Sequence, residues 1–120
     1  MQAHEVERIA KAAATAAEDK KATDIIVLNV QSLTTMSDFF VICSANSRPQ
    51  VEAVSRAVRD KMSEFGVTCR GVEGLDEARW VLLDFGDVVV HVFQPEDREF
   101  YHIERLWGDA DIYTLGESAN

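Results

Sequence analysis

Residues 80–93 read Trp-Val-Leu-Leu-Asp-Phe-Gly-Asp-Val-Val-Val-His-Val-Phe. Two apolar runs flank a Gly-Asp pair, a pattern that fits a β-hairpin and little else. With Gly86 and Asp87 as the turn, Phe85 faces Val88, Leu83 faces Val90 and Val81 faces Val92. That side is wholly apolar and is expected to meet core helices. Alternation sends Trp80, Leu82, Asp84, Val89, His91 and Phe93 to the opposite side. Asp84-Phe85-Gly86 also spells the magnesium-holding triplet of protein kinases. A chain of 120 residues with no Gly-rich loop, strand lysine or HRD-type loop has no other part of that machinery. The triplet is read as strand end and turn, with Gly86 supplying a backbone angle that other residues resist.

The rest of the chain supplies partners for this hairpin. An N-terminal segment, residues 1–22, is expected to hold a helix over 3–19, with Val6, Ile9, Ala10, Ala13 and Ala17 on one side. So thin a stripe predicts weak packing. Asp24–Val30 is a β-branched strand. Ser37–Ala45 is a second, apolar on both faces and therefore internal to a sheet. Ser47 is a fitting N-cap and Pro49 suits a first turn. The helix they open carries Val51, Val54, Val58, Met62 and Phe65 on one stripe, and Gly66 stops it. A short strand at Val67–Arg70 and a polar loop at 71–78 follow. Pro95 opens a last helix to Trp107. Its spacing turns Phe100, Ile103 and Trp107 inward, with Leu106 flanking, and leaves Tyr101 on the side of Arg98 and Arg105. Residues 111–120 read as a tail. The order predicts a single domain over 1–120 of class α+β, a mixed β-sheet of about five strands with helices packed against it.

Charge is unevenly placed. The formal net charge is −9. Residues 1–70 hold nine acids and nine bases, whereas 71–120 hold twelve acids and three bases, so the whole excess lies in the second segment. Seven of the ten aromatic residues lie there too. An acidic surface repels phosphate and attracts cationic protein, so direct nucleic-acid binding is not expected. Such an excess is read first as a solubilising surface; the aromatic residues interleaved with its acids favour a protein-docking face beside that reading. No apolar run approaches the roughly 20 residues a membrane helix needs. Cys43 and Cys69 form no C-x-x-C pair, which suits reduced thiols and a cytoplasmic setting.

Catalytic readings find little footing. His4, His91 and His102 stand on separate elements with no paired ligand spacing, so no metal is expected. Cys43 lies in an apolar strand, where burial raises a thiol pKa. The Cys43–Ser47 loop lacks the glycines and the lysine of a phosphate loop. Asp84 and Asp87 bracket the turn. They are the one carboxylate pair that a metal-dependent, nucleotidyltransferase-like enzyme could use, and that is the rival reading.

The segments DIIVLNV, SDFFVICSANSRPQVEAV, GVEG, RWVLLDFGDVVVHVF and REFYHIERLWGDA, spread over residues 24–110, together resemble the ribosomal silencing factor family, the RsfS or Iojap-type proteins. The resemblance implies a nucleotidyltransferase-like core without catalytic residues, and no cofactor. It implies a factor that binds the large ribosomal subunit through its fourteenth ribosomal protein. Such a factor blocks joining of the small subunit and represses translation when nutrients run short. A role in large-subunit biogenesis and a homodimeric free state are further implications. The family's contact residues match Trp80 and Tyr101. Leu82, His91 and Phe93 are the remaining candidate anchors, and Glu73, Asp84, Glu99 and Glu104 the acids expected to meet lysines and arginines of the partner.

Overall fold

The structure, a computed structural model, describes residues 3–114. Its elements in chain order are α1 (Ala3–Asp19), β1 (Thr23–Asn29), β2 (Phe39–Ser44), α2 (Arg48–Glu64), β3 (Gly71–Glu73), β4 (Trp80–Asp84), β5 (Val88–Phe93), α3 (Pro95–Tyr101), α4 (Ile103–Leu106) and β6 (Asp111–Thr114). The strands form one sheet in the order β3-β4-β5-β2-β1-β6. The β2–β5 pair is parallel and the other pairs are antiparallel. The α+β class and the mixed sheet stand as expected, with one strand more. Ser37–Ala45 falls in the sheet interior because β2 is hydrogen-bonded on both sides.

The hairpin sets the register of everything near it. Val81 pairs with Val92 and Leu83 with Val90, and the Phe85 amide donates to the Val88 carbonyl at 2.9 Å. Gly86 sits at φ +85°, a left-handed angle that a Cβ would strain. The Asp84 carboxylate accepts the Gly86 amide at 2.8 Å, an Asx turn that closes the loop.

Alternation along the strands makes two apolar layers. Val27, Val41, Cys43, Val81, Leu83, Val90 and Val92 face α1 and α2 and form the main core. Ser47 caps α2 by accepting the Gln50 amide at 3.2 Å, and Val51, Val54, Val58 and Met62 are buried along it. Helix α1 is not loosely held, contrary to its thin stripe. Val6, Ile9, Ala10, Ala13, Ala14, Ala16 and Ala17 are all buried in the same core, because alanine lets backbones approach closely and fills the gap without bulk. At the centre of the sheet, the Cys43 thiol is fully buried, and burial pushes its pKa up to about 12 against a smaller lowering by Arg98. The second layer, on the other face, contains Leu28, Val30, Ile42, Phe93 and Ile103, with Phe40, Trp80 and Trp107 half-buried against it.

Three local expectations are corrected. The strand expected at Val67–Arg70 forms instead at Gly71–Glu73, opposite Asp84, Leu83 and Leu82; its position is set by the edge that β4 offers, not by its own residues. The helix expected over 95–107 is split at His102, which adopts φ 47°. Residues 111–114 are not tail but β6, paired with β1. The remainder of the expected tail, 115–120, and residues 1–2 of the N-terminal segment lie outside the described residues.

Candidate functional site

The second face of the hairpin carries a stack of rings. Trp80 pairs with Phe93 across the strands and Leu82 with His91, which puts all four side chains on one side. The Trp80 and Phe93 rings stack at 4.9 Å, 23° from parallel. The Trp80 indole Nε1–H donates to His91 Nδ1 at 3.1 Å, so the neutral imidazole carries its proton on Nε2. Burial pushes the His91 pKa down to about 4, and Nε2 has no partner among the described residues. Phe40 meets the His91 ring edge-on at 5.3 Å, and Trp107 meets Phe40 edge-on at 5.1 Å.

Helix α3 brings the outer rings to this stack. Pro95 opens it, with its missing N–H where no intrahelical partner exists. Tyr101, at its last position, lies 4.7 Å from Trp80 at 45°. The helix is tied at both sides. Toward β4, the Gln94 amide donates to the Arg79 carbonyl at 2.8 Å, Gln94 Nε2 donates to the Ala78 carbonyl at 2.9 Å, and Arg79 pairs with Asp97 at 3.0 Å. Toward β1 and β2, the Arg98 guanidinium donates to the Asp24 carbonyl at 2.6 Å and the Ser44 hydroxyl at 2.9 Å. Its Nε donates to Glu104 at 3.1 Å across the His102 break. Gly74, at φ +84°, carries the loop so close that a Cβ there would collide with the Trp80 carbonyl oxygen, which fixes the strand end bearing the indole.

These placements sort the candidate residues. Trp80 and Leu82 are half-buried, and Tyr101, Glu73 and Glu99 are exposed; Glu73 pairs with Leu82 and so borders the same face. Two expected anchors do not reach the surface. Phe93 is wholly buried and His91 is only 5% exposed, because Trp80 stacks on Phe93 and hydrogen-bonds His91 while Phe40 closes on the His91 ring. They support Trp80 from beneath. Two expected rim acids are already engaged. Asp84 holds the Gly86 amide, and Glu104 holds Arg98 with its second oxygen buried. Phe100, expected to turn inward, is 78% exposed, and Leu106 is 77% exposed, since the break at His102 ends the helical spacing that would have carried the stripe on. The only sequence signal for that break is a residue type that tolerates the left-handed region better than most.

Among the described residues no cluster of three or more His, Cys, Asp or Glu side chains could hold a metal ion, and no helix is long and apolar enough to cross a membrane. Asp87 uses its backbone carbonyl to accept from Asp38, Phe39 and Ser37. Its carboxylate, together with burial as the larger cause, raises the Asp38 pKa. An open groove of about 710 Å³, bordered by Arg56, Arg59, Asp60, Val67, Cys69 and Leu75, includes none of the stacked rings. Its mixed lining matches no one ligand chemistry, so the aromatic face is the stronger candidate site.

Residues 3–119 match the family profile described as "Ribosomal silencing factor during starvation". The chain is 46% identical over 112 residues to Ribosomal silencing factor RsfS of Bacillus subtilis, covering 93% of this chain and 95% of that one. It is 43% identical over 98 residues to Protein Iojap, chloroplastic, of Arabidopsis thaliana, covering 81% of this chain and 40% of that one. A crystal structure of a Chromobacterium violaceum protein superimposes with a TM-score of 0.84 at 42% identity, covering 90% of this chain and 88% of that one.

Proposed function

Since this chain belongs to the ribosomal silencing factor family, we propose that it binds the large ribosomal subunit through the fourteenth ribosomal protein and keeps the small subunit away by occupying space. Translation would thereby be repressed when nutrients are short, with a part in large-subunit biogenesis beside it. The observation that carries this reading is the exposed Tyr101 ring set over the half-buried Trp80 at 4.7 Å, with Glu73 and Glu99 exposed at the border. A rigid aromatic pair loses little entropy on docking, and its desolvation governs how long the complex lasts. The acids act earlier, speeding encounter with a cationic partner and choosing it over anionic ones.

No catalytic step is part of this proposal. Asp84, one half of the rival carboxylate pair, spends an oxygen on the Gly86 amide. Calorimetry with nucleoside triphosphates and magnesium tests the rival directly, and saturable metal-dependent binding would favour it. The free protein is proposed to act in the cytoplasm and to self-associate, which sedimentation velocity measures.

The deciding experiment titrates Trp80→Ala and Tyr101→Ala against purified large subunits. Each is expected to cost roughly 2 kcal/mol or more of binding, the range of interface hot spots, while circular dichroism stays that of the parent. Unchanged co-sedimentation of both variants would refute the assignment of the face.

A further inference from the structure

We propose that Phe100 is a further anchor of the docking face, inserted into an apolar recess of a folded, cationic protein surface; this rests on the docking reading given above. Helical spacing would have turned this ring toward Ile103 and Trp107. The left-handed turn at His102 ends the helix at Tyr101, so Ile103 is buried at 7% exposure while Phe100 is left nearly bare. Its ring meets Tyr101 edge-on at 5.0 Å. Phe93, Trp80, Tyr101 and Phe100 therefore form a continuous ladder, with centroid steps of 4.9, 4.7 and 5.0 Å. Exposure rises along it from a sealed Phe93 to a half-buried Trp80, then to 48% for Tyr101 and 78% for Phe100.

A single exposed apolar side chain needs no explanation. A ring that continues a stack, on a helix tied at Asp97 and Arg98, is different, because its position is fixed before any partner arrives. The class of partner follows from charge. Glu96 and Glu99 are exposed on the same short helix, within the segment that holds the entire −9 excess. Such a setting opposes a phosphate backbone and suits a surface rich in lysine and arginine.

The test uses the full chain and purified large subunits, with Phe100→Ala, Phe100→Leu and Phe100→Lys beside Trp80→Ala and Tyr101→Ala. Phe100→Ala is expected to bind about 10-fold more weakly with an unchanged thermal midpoint. Phe100→Leu should retain most of the affinity. Phe100→Lys should bind worst, since it sets a cation against a cationic surface; tighter binding by that variant would mean an anionic partner such as rRNA and overturn the proposal. Parental affinity for Phe100→Ala overturns it too, and if Trp80→Ala and Tyr101→Ala are still weakened, the docking reading stands without it. Parental affinity for those two instead removes the docking reading. Adding Phe100→Ala to Tyr101→Ala separates direct contact from support: a further loss supports contact, and no further loss overturns it.

Discussion

On the side of the sheet covered by α1 and α2, Val54, Val58, Met62, Val81, Leu83, Val90 and Val92 have no exposed surface at all. On the other side, two short helices of seven and four residues bury Phe93, Ile42 and Ile103 but leave Tyr101, Phe100 and Leu106 facing solvent. The same strands supply both layers, so the difference lies in what covers them. Long helices rich in valine and alanine complete one layer. The other is completed only over its centre, by rings and by hydrogen bonds from Arg79, Gln94 and Arg98. One face thus supplies the stability that allows its opposite to keep apolar surface exposed.

Leucine truncation separates the two faces most sharply. Leu83→Ala should destabilise by roughly 3 kcal/mol in urea unfolding, as buried leucines do, and leave the binding of the folded protein intact. A cost below about 1 kcal/mol would mean the covered layer is looser than its burial implies.

The second effect comes from His91. The unfolded imidazole takes a proton from about its ordinary 6.5 downward, and the folded one only near 4. Between these values the unfolded chain binds more protons, so stability falls as pH falls. From pH 7 to 5 the loss should be about 2 kcal/mol, and His91→Gln should lack that part of the slope. Identical slopes for the two proteins would show that the ring is solvated.

Smaller effects follow. Ser47→Ala removes the α2 cap and should cost about 1 kcal/mol, again with binding kept. Leu106→Ala should change stability by less than about 0.5 kcal/mol. If it cost as much as Leu83→Ala, the contrast between the faces would collapse.

What could be read in advance divides along similar lines. The hairpin was legible because its signals are local: alternation fixes which residues share a side, and Gly-Asp fixes where the chain reverses. The main core was legible for the same reason, apart from the tightness of α1, where buried alanines leave only a weak apolar signature. The candidate site was legible by side but not by depth. Alternation placed His91 and Phe93 beside Trp80, yet their depth is decided by the Phe40 ring closing on His91 and by the packing of α3 on β5. That packing depends on Arg98 reaching Asp24 and Ser44, 74 and 54 residues away, and no local pattern encodes such ties. Strands β3 and β6 were misplaced or missed because short edge strands borrow their register from a neighbour.

Cys43 offers a use of the fold that is independent of any partner. Its sulfur lies at the middle of the sheet, protonated to about 12, so alkylating reagents cannot reach or activate it while the strands are closed. Cys69, half-buried at the periphery, should be modified first. The slow second labelling event therefore times the rare opening of the whole sheet, a clock on molecular lifetime written into the native sequence.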